Sequence, residues 1–187
     1  MKKQLFFLIF SCLLYTGAAA QPTDQIAAKT ASKSGINAIA FGLSFPVGVF
    51  SHSHSIGAVI DYSWSRHRFG ENIPAAKPIG FIINAGADYF IGKRTTTTGY
   101  EFRYGNYLNL YAMPGIICNP IAKGNISLTT GPALSIYKGN ANGGISVGMF
   151  GNYWLTKNIA IGSGTIYRKH LKEKAMWSVA IRVSYAF

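Results

Sequence analysis

The sequence is poor in charge, in acidic residues and in cysteine. Only 13% of its 187 residues are charged, against roughly 25% in an average soluble protein. Two cysteines exclude a disulfide scaffold and a multi-cysteine metal site. The chain has 6 acidic and 18 basic residues, which gives a formal net charge of +12. Such an excess fits a nucleic acid, a membrane surface or an acidic ligand as partner.

Aromatic residues, by contrast, are abundant, at 14% of the chain. Together with the many β-branched residues they exclude intrinsic disorder. The length predicts one domain, or at most two.

The N-terminus has the parts of a secretory signal peptide, predicted at residues 1–20. Lys2 and Lys3 form a positive n-region, an apolar stretch covers residues 4–15, and small residues lead to a cleavage site after Ala20. The apolar stretch is shorter than the roughly 20 residues of a membrane-spanning helix. The location predicted is therefore beyond the inner membrane.

A second interpretation concerns Cys12. Ile9-Phe10-Ser11-Cys12 loosely resembles a lipobox, which would make Cys12 a lipid acceptor. That processing would leave only a stub of apolar region, so cleavage after Ala20 is the prediction.

Removal of residues 1–20 takes away Lys2 and Lys3 and leaves a net charge of +10, with Cys118 as the remaining cysteine. No internal disulfide can form in that chain. Residues 21–35 lack periodicity and are predicted to be a flexible periplasmic leader.

Residues 36–187 contain no run of 18 apolar residues, and alternation with a period of two takes its place. The last run is the clearest, with large apolar residues at odd positions from Trp177 to Phe187 and mostly small ones between them. Eight strands are predicted, at 36–50, 55–69, 79–91, 100–118, 124–138, 143–156, 158–170 and 174–187. The long segment 100–118 could instead be two strands, which would give nine or ten.

The two faces of the strands differ in a way that predicts a membrane barrel. One face is mostly Gly, Ala and Ser, which suits the narrow interior of eight strands. The other is large and apolar, which suits lipid, and closure avoids unpaired edges in hydrocarbon. The predicted fold is all-β, an eight-stranded antiparallel up-and-down transmembrane β-barrel of a bacterial outer membrane. Its aromatic girdles would comprise Tyr62, Trp64, Tyr89, Tyr153 and Trp177.

Three segments carry a resemblance to a known family: 42–50 (GLSFPVGVF), 153–161 (YWLTKNIAI) and 183–187 (VSYAF). They resemble small outer-membrane β-barrel proteins of Bacteroidota-type bacteria, with an architecture similar to OmpX and the OmpA barrel. The resemblance implies the barrel-assembly machinery as a partner, with Tyr185 and Phe187 as its C-terminal recognition signal. The family shares no single biochemical activity.

Several charged residues fall on the small-residue face and predict a polar cluster in the lumen. These are Asp61, His67, Asp88, Glu101, Arg103 and Arg182. Because buried charges need partners, the favoured interpretation is a salt-bridged plug. A polar conduit is the alternative, and no catalytic motif supports an enzyme.

His52 and His54 are two residues apart and would share one face of an extended strand. Two ligands are too few for a zinc site, so a solvated loop is favoured, and no metal or cofactor is predicted. Other basic residues cluster at predicted strand ends, namely Arg66, Arg68, Lys93, Arg94, Arg168, Lys169, Lys172 and Lys174. They predict contact with outer-membrane lipids, including lipopolysaccharide phosphates, or solvated loop charge. Nucleic acid is not expected, because the aromatic residues face lipid.

With both chain ends in the periplasm, the outer connections would be 51–54, 92–99, 139–142 and 170–173. Their shortness argues against a large adhesive surface. The predicted role is a monomeric structural or envelope-maintenance barrel without enzyme activity. Alternatives are a narrow channel for small polar solutes, a lipid-modifying enzyme at the outer rim near His170, and a soluble periplasmic binding barrel.

Overall fold

A computed structural model describes residues 36–65, 79–97, 99–121, 123–171 and 173–187. These ranges contain ten strands and one short helix. The elements are β1 (Ile36–Val47), α1 (Val49–Ser53), β2 (His54–Ser65), β3 (Gly80–Gly92), β4 (Arg94–Thr97), β5 (Tyr100–Arg103), β6 (Tyr107–Ile121), β7 (Gly124–Tyr137), β8 (Asn140–Trp154), β9 (Ile159–His170) and β10 (Met176–Ala186).

Eight of the strands close a barrel in the order β1, β10, β9, β8, β7, β6, β3, β2. Every neighbouring pair is antiparallel, and β1 closes the barrel on β10 over the register from Ala38 opposite Ala186 to Val47 opposite Trp177. The prediction of an all-β, eight-stranded antiparallel barrel is confirmed.

The remaining strands, β4 and β5, pair only with each other in a separate hairpin. The segment predicted as one strand at 100–118 therefore ends at Arg103 and resumes at Tyr107. At the break, the side-chain oxygen of Asn106 accepts a hydrogen bond from the backbone N–H of Gly92 at 3.1 Å. The two additional strands, β4 and β5, lie outside the barrel, so the alternative of a larger barrel is wrong.

Alternation along each strand separates the two faces of the wall. On β10, Ile181 is 60% exposed on the outside while the neighbouring Ala180 is fully buried inside. The outward positions are filled by Val, Ile, Leu, Phe and Tyr around the barrel. Within the described ranges, no helix is long and apolar enough to cross a membrane.

The barrel has two ends, which we call the terminus end and the loop end. The terminus end holds the start of β1 and the end of β10, and the loop end holds α1 and the β4–β5 hairpin. Tyr62, Trp64 and Tyr153 face outward near the terminus end. Tyr89 and Trp177 face outward near the loop end.

Residues 1–35 lie outside the described residues, so the predicted signal peptide and leader are not described. The predicted short connection at 51–54 is instead part of α1 and the start of β2, and the connection at 92–99 enters the hairpin.

Candidate functional site

An ion pair lies in the lumen on the side of the terminus end. Arg182 Nη1 of β10 donates to Asp61 Oδ2 of β2 at 2.6 Å, and both side chains are at least 95% buried. The hydroxyl of Tyr111 donates to the other carboxylate oxygen of Asp61. The Arg182 guanidinium also lies 4.0 Å from the ring centroid of Phe150. Asp61 is thus held by two donors from opposite walls of the barrel.

A second ion pair lies nearer the loop end. Arg168 of β9 donates to a carboxylate oxygen of Asp88 on β3, and neither side chain is exposed. Arg168 also donates to Ser178 Oγ at 2.8 Å, and its guanidinium lies 5.7 Å from the ring centroid of Phe90. Each interior arginine therefore has a carboxylate and an aromatic ring as neighbours.

Three of the six residues predicted for the lumen lie inside the barrel: Asp61, Asp88 and Arg182. Glu101 and Arg103 do not, and this part of the prediction is corrected. Both are exposed on β5, where Glu101 pairs with Arg94 at 3.3 Å. The hairpin carries them away from the wall, which removes them from the lumen. His67 lies outside the described residues.

Sequence reasoning missed Arg168 and Tyr111. It placed Arg168 among the basic residues of the strand ends, whereas the structure buries it completely. The sequence did contain a sign of this burial. Arg168 is an even number of residues from Ala160 and Ile166 on β9, both of which point inward, so alternation places it on the same face. The expectation that large aromatic residues face outward is wrong for Tyr111 and also for Phe90, Tyr107, Phe150 and Trp154, all of which are buried inside the barrel.

Apolar clusters fill the rest of the lumen at three levels. Tyr111, Met113 and Phe150 lie in the middle, with Ala133 and Ile166. Trp154 packs with alanines of β1, β9 and β10 toward the terminus end. Phe50, Phe90, Tyr107 and Met176 form the cluster nearest the loop end. The interior is therefore filled by side chains along its length.

A small cavity lies between the Asp61–Arg182 pair and Trp154. Its volume is about 30 Å³, and Asn84, Asn125 and Asn152 contribute to its polar lining. A water molecule needs about 10–15 Å³ measured in this way. The cavity therefore has room for about two waters and not for a larger solute.

A larger pocket of about 210 Å³ opens at the loop end. We call it the loop-end pocket. It is lined by Val49, Phe50, Ser53, His54, Tyr104, Tyr107, Tyr137, Glu173, Lys174, Ala175 and Met176. His54 is part of its wall, with the ring centroids of Phe50, Tyr107 and Tyr137 at 4.5, 5.8 and 6.0 Å from that of His54. Its apolar, aromatic lining with a few polar groups resembles that of small-molecule sites, although it is smaller than the roughly 300–1,000 Å³ usual for them.

His54 is buried, and the prediction of a solvated histidine pair is corrected. His52 is exposed on α1 while His54 begins β2, so the helix separates the two side chains. The ring of His54 is hydrogen-bonded on both nitrogens, to Ser53 Oγ at 2.8 Å and to the carbonyl oxygen of Gly105 at 3.2 Å. Ser53 Oγ also lies 3.1 Å from the carbonyl oxygen of Phe50.

Glu173 reaches over the loop end from the segment between β9 and β10. Its Oε1 accepts hydrogen bonds from Ser135 at 2.8 Å and Asn142 at 2.9 Å. Its Oε2 accepts one from the Tyr107 hydroxyl at 3.2 Å and lies 3.4 Å from His170 Nδ1. The sequence placed this residue in a loop without a role.

No protein-family model and no curated protein matches this chain. Among solved structures it is similar to Ail, the attachment invasion locus protein of Yersinia pestis, in complex with the heparin analogue sucrose octasulfate. The TM-score is 0.56 at 11% identity, over 82% of this chain and 99% of that one. The structure of the outer-membrane protein Ail of Yersinia pestis in a phospholipid bilayer nanodisc gives 0.54 at 12%, over 82% and 100%.

This chain has the fold of that outer-membrane barrel. Sequence identities of 11% and 12% carry the likeness no further than the fold. Nothing in the comparison singles out Bacteroidota-type relatives.

Proposed function

We propose that this chain is an integral protein of a bacterial outer membrane, with a structural or envelope-maintenance role and a lumen closed by side chains. The observation that carries the proposal is the reversed polarity of the wall. Charges lie buried in the lumen, at Asp61, Asp88, Arg168 and Arg182, while large apolar side chains face outward. A soluble barrel would place these groups the other way round.

The outer surface supports membrane insertion. Phe41, Ile145 and Ile181 are 58 to 60% exposed on different strands. Many other outward Val, Ile and Leu side chains of the strands are 37 to 56% exposed. Soluble monomers rarely expose contiguous apolar patches beyond a few hundred Å². A hydrocarbon environment removes the free-energy cost of this exposure. A closed barrel also provides hydrogen-bond partners for its backbone N–H and C=O groups there.

Fractionation tests the location. Membranes of a Gram-negative host expressing the full chain are washed with alkaline carbonate and then extracted with detergent. We expect the protein to stay with the outer membrane until detergent is added. Release by the carbonate wash, together with a soluble periplasmic marker, would contradict the proposal and favour a soluble periplasmic barrel.

Single-channel recording tests the closed lumen. The two ion pairs and the cluster around Phe150 fill the space between the small cavity and the loop-end pocket. We expect no conductance steps above the lipid background from the refolded protein in a planar bilayer. Reproducible steps would support the alternative of a narrow channel for polar solutes.

Two partners belong to the same proposal. Tyr185 and Phe187 both face outward, with ring centroids 6.5 Å apart, where the barrel-assembly machinery can contact them. Phe187→Ala is expected to lower the outer-membrane fraction of the protein, with Phe41→Ala as the matched control.

The second partner is the lipid of the outer membrane. Exposed basic side chains are suited to bind lipopolysaccharide phosphates, and they are Lys93, Arg94, Lys169 and Lys174.

A rim-located hydrolase acting on lipid is the second candidate function, because Ser53 Oγ lies 2.8 Å from His54 Nδ1 beside an apolar pocket. The Gly105 carbonyl at Nε2 orients the ring so that Nδ1 can accept the Ser53 proton. Mass spectra of lipid A from cells with the wild-type chain and with Ser53→Ala test it. Identical spectra would remove this candidate.

A further inference from the structure

We infer that the loop-end pocket is a binding site for a small organic ammonium ion with an aromatic or branched apolar body. The inference goes beyond the proposed structural role. It depends on three properties of the pocket, which are its size, its ring-lined wall and the carboxylate at its edge.

The size of the pocket sets the size of the ligand. A cavity of about 150 Å³ in another protein accepts benzene, and the loop-end pocket measures about 210 Å³. One ring with a short substituent fits this space. The side chains below it close the floor, because Phe90 lies 5.0 Å from Phe50 and separates the pocket from the Arg168 guanidinium. A ligand would therefore enter from the loop end.

The wall is preorganised by its own contacts. Both ring nitrogens of His54 are used by Ser53 and Gly105, so the histidine holds the wall in place and offers the pocket mainly its ring. Phe50 and Tyr107 stand edge to face, with centroids 5.4 Å apart. The faces of aromatic rings attract cations, and aromatic cages for ammonium groups use this attraction.

Glu173 supplies the charge. Its side chain is only 17% exposed, and its hydrogen-bond donors Ser135, Asn142 and Tyr107 are neutral. Among the described residues, the ionisable side chains within 4 Å of this carboxylate are Tyr107, whose hydroxyl is a neutral donor, and His170, which is charged only when protonated. The Lys169 ammonium donates instead to the backbone carbonyl of Glu173, at 2.6 Å. Within the described part of the chain, no lysine or arginine pairs with this largely buried carboxylate, which suits it to a cationic ligand.

Lys174 is the lysine of the lining, and it opposes a bound cation. It is exposed, so its flexible stem can keep the ammonium group in water. Removing the positive charge of Lys174 tests which charge of ligand the pocket prefers. Lys174→Gln should strengthen the binding of a cation and weaken the binding of an anion.

The experiment compares three soluble probes of nearly equal shape, which are 2-phenylethylammonium, 2-phenylethanol and phenylacetate. Each is titrated calorimetrically into the full chain in lipid nanodiscs, with empty nanodiscs as the reference for partitioning into lipid. We expect saturable binding with the order cation, alcohol, anion. Glu173→Gln should weaken the cation about tenfold and leave the alcohol within about twofold.

Glu101→Gln is the matched control, because it removes the same charge from the exposed hairpin. It should leave all three affinities unchanged. The inference is overturned if no probe binds saturably, if the cation binds no better than the alcohol, or if Glu101→Gln weakens the cation as much as Glu173→Gln does.

A measurement on the wild-type chain removes the dependence on folding of the variants. In NMR spectra, 2-phenylethylammonium should shift the amide signals of His54, Tyr104 and Met176, which surround the pocket. Signals of the terminus end, such as Ala160 and Ala186, should stay in place. Shifts confined to the outward residues would indicate lipid-side contact and overturn the site.

Discussion

Arg182 and Asp61 are 121 positions apart in the chain and meet in the lumen at 2.6 Å. Their strands, β10 and β2, both pair with β1, so one arginine and one aspartate connect the two strands that flank β1. Breaking such a buried pair by removing one partner is costly, because the other charge is left without compensation.

The first prediction concerns this pair. Asp61→Asn should lower the free energy of unfolding by about 3 kcal/mol, measured by urea titration of the refolded protein in lipid. Glu101→Gln breaks the exposed pair with Arg94 and should cost less than about 1 kcal/mol. Adding Arg182→Gln to Asp61→Asn should cost less than the sum of the single changes. Equal losses for Asp61→Asn and Glu101→Gln would contradict a stabilising role of the lumen pair.

The second prediction concerns the hydroxyl of Tyr111, which donates to Asp61. Tyr111→Phe removes the donor and keeps the ring. We expect a loss of about 2 kcal/mol, because hydrogen bonds to charged groups contribute about 1.5–3 kcal/mol. Tyr100→Phe is the control, since Tyr100 is 82% exposed on the hairpin. The idea fails if urea unfolding gives the same midpoint for both variants.

The third prediction concerns Gly86, which makes room for this network. A Cβ at Gly86 would collide with the Asp61 carboxylate and the Ile60 carbonyl and would lie 2.8 Å from the Tyr111 hydroxyl. Gly86→Ala should therefore cost about 1–3 kcal/mol of unfolding free energy. Gly143→Ala meets nothing within 4 Å and should be nearly neutral. A neutral Gly86→Ala would show that the network can shift at little cost.

Much of this arrangement can be predicted from the alternation of inward and outward residues along each strand. Alternation placed Asp61, Asp88 and Arg182 on the small-residue face, and they lie in the lumen. The same rule would have placed Arg168 inside, had its closeness to a loop not been given more weight. Alternation predicts which face a residue lies on only within one continuous strand. It therefore misplaced Glu101 and Arg103, because the break before Tyr107 separates the hairpin from β6.

The loop-end pocket was beyond sequence reasoning for a different reason. Its lining comes from α1, from strand ends and from the segment around Glu173, which are far apart in the chain. Glu173 meets Ser135, 38 positions away, only because the β9–β10 connection folds over the mouth of the barrel. No periodic pattern encodes how a loop folds back. The ring cluster around His54 depends on the same long-range approach.

The last prediction concerns the β4–β5 hairpin, which pairs only with itself. At its base, the backbone N–H of Tyr104 donates to the Lys93 carbonyl at 2.9 Å, so a two-residue Asn-Gly turn can replace residues 94–103. The Lys138 ammonium would lose the Phe102 ring, 5.1 Å away, a contact contributing about 0.5–1 kcal/mol. We therefore expect an unfolding free energy within about 1 kcal/mol of the wild type and unchanged binding of 2-phenylethylammonium, because Tyr104 remains. Replacing the hairpin leaves every pairing between barrel strands in place. If the variant nevertheless lost the folded band on heat-modifiability gels, the hairpin would be needed for the stability of the barrel.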